Sequence, residues 1–125
     1  MFDLDLRSRK PIYEQLVEKF KELIFSEVLK PDEKLPSVRA LAQQLTINPN
    51  TIQKAYRELE RQGYIYTVQG KGNFVQPITG NINKQEIEKI KTELKKNIKE
   101  ALFVGVTKEE LHQLIDEVER REKHD

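Results

Sequence analysis

Proline and glycine punctuate the first 75 residues so closely that only short elements fit between them. Pro11, Pro31, Pro36, Pro49 and Gly63 set the breaks, and Gly70 and Gly72 follow soon after. Pro11 suits the first turn of a helix, where its missing N–H has no partner to lose. Behind it Ile12, Leu16, Phe20, Leu23 and Ile24 recur at helical spacing, with Tyr13 and Val17 widening the stripe. The spacing predicts a helix to about Val28. Lys30-Pro31-Asp32-Glu33 then breaks it, because proline disfavours helix in the residue before it. Leu35-Pro36 reads as extended. Ser37 stands in N-cap position, and Val38, Leu41, Ala42 and Leu45 make a helix of two to three turns. After the break at Thr46-Ile47, Asn48 is a good N-cap and Pro49 suits the first helical position. Ile52, Ala55, Tyr56 and Leu59 form the next apolar stripe, and Gly63 closes it. Tyr64 to Val68 and Asn73 to Val75 read as strands around the turn Gln69-Gly70-Lys71-Gly72. Helix, helix, turn, helix, hairpin is the order of a winged helix-turn-helix.

Charge singles out one part of that layout. The chain has 22 Lys and Arg against 21 Asp and Glu, yet no acid occurs between Glu33 and Glu58. Residues 36–75 carry five bases (Arg39, Lys54, Arg57, Arg61, Lys71) and two acids, whereas bases and acids nearly balance on either side. A stretch cleared of carboxylates points to a polyanion, with chance clustering the alternative. The third helix discriminates between them. At about 100° per residue, Ala55, Tyr56 and Leu59 fall within about 60° of Ile52. Asn50, Lys54, Arg57 and Arg61 fall opposite, at roughly 140° to 200°. A solvated surface helix mixes signs in i, i+4 pairs. Here Glu58 and Glu60 flank the cationic face without lying on it.

Asn50, Thr51 and Gln53 open that helix, the end from which such motifs reach base edges. Asparagine and glutamine suit adenine, and arginine suits guanine. Ser37 and Arg39 begin the preceding helix, whose free N–H groups favour a phosphate; for Ser37 capping alone is the plainer role, and the two are compatible. Lys71 stands between two glycines at the hairpin tip, free to enter a minor groove or to be an ordinary turn lysine.

These residues carry a resemblance. Leu35-Pro36-Ser37-x-Arg39-x-Leu41-Ala42, Asn48-Pro49-Asn50-Thr51-Ile52-x-Lys54-Ala55-Tyr56-x-x-Leu59, Gly63-Tyr64-Ile65 and Gly70-Lys71-Gly72-x-Phe74-Val75 resemble the GntR family of bacterial transcription regulators. With Pro11-Ile12-Tyr13-x-Gln15 and the short tail, the chain looks most like the YtrA subfamily. The resemblance covers about residues 9–76. It implies a dimeric repressor on a palindromic operator, with the positions of Arg39, Asn48, Asn50, Thr51 and Gln53 at the major groove and Gly70 on a wing at the minor groove. Lys54, Arg57 and Lys71 join that site on the helical wheel and the charge. Three residues depart from the family's pattern: Asp32 replaces a usual glycine, and Lys71 and Asn73 replace a commoner arginine and a Thr or Ser in the wing. Lysine lacks the bidentate fork of arginine, which implies less selective wing readout.

The domains expected are 1–78, the winged helix-turn-helix, and 79–125, a two-helix dimerisation tail. Pro77-Ile78-Thr79-Gly80-Asn81 reads as the linker. Ile87, Ile90, Leu94, Ile98, Ala101 and Leu102 form one tail stripe. Thr107-Lys108-Glu109-Glu110 is a capping box, and Leu111, Leu114, Ile115 and Val118 form a second stripe. A hairpin of this size cannot bury both stripes alone. A second copy is the economical cover, and packing onto the first helix is the alternative.

Other chemistries find little support. Without cysteine there is no disulfide, thiol catalysis or sulfur-ligated metal. His112, Asp116 and Glu109 share a helix, but such mixed sets are common by chance, so neither a metal nor a cofactor is expected. No glycine-rich loop opens a helix, and no carboxylate lies in an apolar run, so the chain does not read as an enzyme. The longest apolar run, Ala101 to Val106, is far short of a membrane span, and Met1 to Asp5 lacks a signal pattern. A cytoplasmic, nucleoid-associated location is expected, with no membrane partner. A winged helix serving only as a protein-docking module is the competing function. A small-molecule effector acting on dimer geometry is compatible with the first reading, but no residue names one.

Overall fold

The computed structural model describes residues 4–77 and 82–124. The fold is mostly helical: three helices and a hairpin, then two further helices. The chain divides into two compact units, residues 1–83 and 84–125. The expected linker residues Ile78 to Asn81 lie outside the described residues.

In the first unit α1 spans Ile12–Phe25, α2 Val38–Leu45 and α3 Pro49–Gln62, followed by β1 (Ile65–Val68) and β2 (Gly72–Val75). The local signals for α2 and α3 act as expected. Ser37 Oγ accepts the Ala40 N–H at 3.0 Å, Asn48 Oδ1 accepts the Asn50 N–H at 2.8 Å, and Pro49 opens α3. Gly63 ends α3 with φ 93°, in the left-handed region where other residues are strained. Helix α1 stops earlier than the sequence suggests. Ser26 caps it, its hydroxyl donating to the Glu22 carbonyl at 2.8 Å, and Glu27 takes φ 59°. That left-handed step turns the chain back, so that the Leu29 N–H reaches the Leu23 carbonyl at 3.0 Å. Leu29 then packs against the core.

The core joins Leu16, Val17, Phe20 and Ile24 of α1 to Leu41 and Ala42 of α2 and to Ile52, Ala55, Tyr56 and Leu59 of α3. Leu35, Tyr64, Ile65 and Val75 close it from the loop and hairpin. Phe20 and Tyr56 meet edge to face at 5.6 Å, a favoured aromatic geometry. The buried polar Gln62 is satisfied, accepting from Lys21 Nζ at 3.0 Å.

The hairpin is antiparallel, with Ile65 opposite Val75 and Val68 opposite Gly72. A third segment pairs with it. The Asp32 N–H donates to the Val75 carbonyl, the Val75 N–H to the Glu33 carbonyl and the Leu35 N–H to the Asn73 carbonyl, at 2.8–2.9 Å. The loop before α2 therefore braces the outer edge of β2. Asp32 itself has φ 65°, which explains why glycine suits this position, and its carboxylate accepts the Tyr66 hydroxyl at 2.7 Å.

In the second unit α4 (Lys84–Phe103) and α5 (Lys108–His124) are joined through Gly105 at φ 104°. The expected capping box is formed: the Glu110 N–H donates to Thr107 Oγ1 at 3.1 Å, and the Thr107 N–H to Glu110 Oε1 at 3.4 Å. Ile87, Ile90, Leu94, Ile98 and Leu102 of α4, and Leu114, Ile115 and Val118 of α5, are all exposed, while Leu111 and Ala101 are half-buried.

Candidate nucleic-acid interface

Helix α3 is held by its apolar side and shows its polar side to solvent. Ile52, Ala55, Tyr56 and Leu59 are at most 1% exposed, whereas Asn50, Lys54 and Arg57 are exposed and Thr51 and Gln53 half-buried. Tyr56 also fixes α3 to the chain entering α2. Its hydroxyl donates to the Pro36 carbonyl at 2.8 Å, and burial pushes its pKa above the ordinary value. The apolar stripe gave Tyr56 a place in the core, and a tyrosine buried there needs a partner for its O–H; the distant Pro36 carbonyl supplies it.

The cations on the outer face are not equivalent. Arg39 on α2, Arg57 on α3 and Lys71 on the hairpin turn are exposed and make no ion pair among the described residues. Lys54 Nζ sits 4.0 Å from the centre of the Tyr13 ring, a cation–π contact that leaves its charge unneutralised. Arg61 departs from the wheel. Its guanidinium forks onto Glu58, with Nε 2.8 Å from Oε2 and an η nitrogen 2.6 Å from Oε1. Residues three apart on a helix are neighbours, so an acid on the flank reaches round to a base on the face. Arg61 thus drops out of the free cationic set.

Arg39, Gln43, Thr46, Ile47 and Pro49 line one shallow surface groove, which joins the outward side of α2 to the start of α3. Both capping side chains keep a donor in reserve. Ser37 Oγ accepts from Ala40, leaving its O–H to donate outward, and Asn48 accepts through Oδ1, leaving its NH₂. At the hairpin, Gly70 has φ 79° with nothing near the position a Cβ would take, so the turn is open around its backbone. Asn73 accepts the Thr67 hydroxyl at 2.7 Å across the ladder, so this departure from the family pattern braces the hairpin.

Lys34 is a cation that sequence reasoning missed. Its Cε lies 3.1 Å from where a Cβ on Gly72 would be, so it runs beside the hairpin turn. The pairing of residues 32–35 with β2 is non-local, and only the extended character of Leu35-Pro36 hinted at it. In the tail, Glu109, His112 and Asp116 form no metal-holding cluster; among the described residues there is no group of three or more such ligands. No helix among the described residues is long and apolar enough to cross a membrane.

This arrangement has known counterparts. The chain is 43% identical over 119 residues to the HTH-type transcriptional repressor YtrA of Bacillus subtilis (strain 168), covering 94% of this chain and 92% of that one. That bears out the YtrA-like resemblance of the motifs. The crystal structure of a transcriptional antiterminator from Listeria monocytogenes EGD-e superposes with a TM-score of 0.76 at 42% identity, over 95% of this chain and 90% of that one. The DNA-binding domain of AraR, crystallised in complex with operator ORE1, matches 60% of this chain and 92% of its own with a TM-score of 0.52 and 36% identity. Residues 12–75, from the start of α1 to the end of β2, match the family described as bacterial regulatory proteins, gntR family. With more than half its length so matched, the chain belongs to the gntR family of helix-turn-helix transcription regulators.

Proposed function

We propose that the protein is a repressor that binds a palindromic operator as a homodimer, with α3 in the major groove and the β1–β2 wing at the minor groove. The observation that carries this reading is the outward face of α3, where Asn50, Lys54 and Arg57 are exposed with no carboxylate paired to either cation. Such a face suits phosphates and base edges. Arg39 and Gln53 supply further base-reading groups, and Thr51 a hydroxyl. The spare donors of Ser37 and Asn48 suit phosphate oxygens or base acceptors. Gly70 lets the wing backbone approach closely, and Lys71 brings a charge to the groove. The YtrA relative is named a repressor and the AraR domain was crystallised with operator DNA, which supports the same assignment.

The dimer rests on the tail. Ile87, Ile90, Leu94, Ile98 and Leu102 form one apolar face, and Leu111, Leu114, Ile115 and Val118 another, none of them fully buried. A second copy of the same pair of helices is the self-complementary cover. A cytoplasmic site of action follows from the function.

The test is fluorescence anisotropy with the DNA upstream of the protein's own gene against a scrambled duplex, over a salt series. Binding about 10³-fold tighter to the specific duplex is expected. A dimer touching ~6–10 phosphates gives a log–log salt slope of about −5 to −9. Arg39→Ala or Arg57→Ala should weaken operator binding by about 1–3 kcal/mol. Unchanged affinity in both folded variants would remove these residues from the interface, and a flat salt response would remove DNA.

A further inference from the structure

The segment before α1 is not a loose end. Gln15, on the first turn of α1, holds it by three hydrogen bonds. Its Oε1 accepts the Asp5 N–H at 2.8 Å, and its Nε2 donates to the carbonyls of Asp5 and Lys10, each at 2.9 Å. Two local turns stiffen the strap further: the Arg7 N–H donates to Asp5 Oδ1 at 2.9 Å and the Lys10 N–H to Ser8 Oγ at 3.1 Å. Residues 5–10 are thereby folded back on the start of α1.

The start of α1 lies level with the DNA-facing part of α3. Tyr13 meets Lys54, Phe20 meets Tyr56, and Lys21 meets Gln62, so contacts climb both helices together. The strap joins α1 at the end where Lys54 faces out.

Charge at the strap is partitioned. Among the described residues, Glu18 is ion-paired with Lys10 Nζ at 2.7 Å, whereas Asp5 accepts the Arg7 backbone N–H and Glu14 the Tyr13 hydroxyl at 3.3 Å, neither through an arginine side chain. Arg7 and Arg9 are exposed and make no ion pair among the described residues. We infer that this clamped strap is a further DNA-contacting surface, on which Arg7 and Arg9 bind backbone phosphates beside those met by α3. The inference rests on the DNA-binding reading above. It assigns the strap to phosphates and not to bases, because two arginines on a backbone turn outside the helix-turn-helix supply charge without an element that enters a groove.

Phosphate contacts are independent of sequence, so a mixed-sequence duplex suffices as the probe beside the upstream DNA. Wild type, Arg7→Ala/Arg9→Ala, Gln15→Ala and Arg57→Ala are compared by anisotropy over a salt series, with circular dichroism as the folding control. The double arginine variant should weaken binding by the same factor on both duplexes. It should flatten the salt slope by about 2 per arginine in a dimer. Lysine at both positions should restore the slope, since a point charge serves a phosphate. Gln15→Ala, which keeps every charge, should reproduce part of the loss and add nothing on the double-variant background. Wild-type affinity and slope in Arg7→Ala/Arg9→Ala, with binding still impaired in Arg57→Ala, overturns the strap and leaves the DNA reading standing. A loss confined to one duplex overturns the phosphate assignment. No binding of the wild type to either duplex at low salt overturns both readings.

Discussion

Replacing Tyr56 by Phe removes one oxygen from the centre of the first unit and tests what orients α3. Tyr56 is 1% exposed, its ring packs edge-on to Phe20, and its hydroxyl donates to the Pro36 carbonyl at 2.8 Å. Phenylalanine keeps the ring contacts, so the change isolates the hydrogen bond. The bond itself contributes about 1 kcal/mol, and a carbonyl left without its donor adds up to roughly 1–3 kcal/mol. A loss near 2 kcal/mol should lower the melting midpoint of a domain this size by on the order of 10 °C. The pH dependence supplies a second check. Burial raises the Tyr56 pKa above its ordinary value of 10.0, so the fold favours the neutral phenol. The Tyr56 contribution is therefore complete below about pH 10 and is lost as pH rises from there towards the folded-state value. Tyr13 and Tyr66 are also shifted upwards (Tyr13 chiefly by desolvation, Tyr66 by its hydrogen bond to Asp32), but both remain in the variant. Subtracting the two stability curves thus isolates Tyr56. The assay is thermal unfolding by circular dichroism from neutral to alkaline pH, with the two curves converging above pH 10. Equal stability at neutral pH, or a constant gap up to the alkaline limit, would refute the role given to this hydroxyl.

Two other substitutions probe the loop and the tail. Asp32→Gly relieves a left-handed residue, worth about 1 kcal/mol, and removes the carboxylate that accepts the Tyr66 hydroxyl, worth a similar amount. It should be nearly neutral alone and non-additive with Tyr66→Phe by roughly 1 kcal/mol in urea unfolding; strict additivity would show that the pair does not interact. Leu94→Asp places a charge on the exposed α4 stripe; by light scattering the wild type should be a dimer and this variant a monomer. A variant that remains dimeric at the same concentration would move the interface away from that face.

What was legible in the sequence was mostly local. The starts of α2 and α3 and the end of α3 depend on Ser37, Asn48-Pro49 and Gly63, each acting within a few residues of itself. The capping box at Thr107 is equally local. The end of α1 was less legible, because Glu27 adopts a left-handed conformation that nothing in its residue type announces. The pairing of residues 32–35 with β2 joins segments some forty positions apart, and it brought Lys34 to the wing unannounced. On α3 the helical wheel separated core from surface correctly. It misjudged Arg61, since a wheel treats side chains as fixed radii, and a long arginine bends three residues back to Glu58. The clamp at Gln15 was invisible for a similar reason: an amide near a helix start can face solvent or grip the preceding chain, and its residue type is the same in both cases.

The distribution of apolar side chains between the units bears on how regulation would work. Among the described residues, the side chains of the hydrophobic core belong to the first unit, where they fix α3 against α1 and α2. The tail leaves Leu94, Leu102, Ile115 and Val118 more than half exposed, and the proposed pairing of two tails would bury them. A single winged unit should then hold one half-site with its contacts intact but weakly, and pairing would add the second half-site without changing either surface. Linkage makes the relation reciprocal: an operator that prefers the dimer must strengthen tail pairing by the factor by which pairing strengthens operator binding. A tail substitution such as Leu94→Asp should therefore weaken binding to the full palindrome while sparing affinity for an isolated half-site. Arg57→Ala should weaken both. Equal loss on both duplexes for Leu94→Asp would mean that the tail also shapes the DNA-facing surface, and the division of roles between the units would fail.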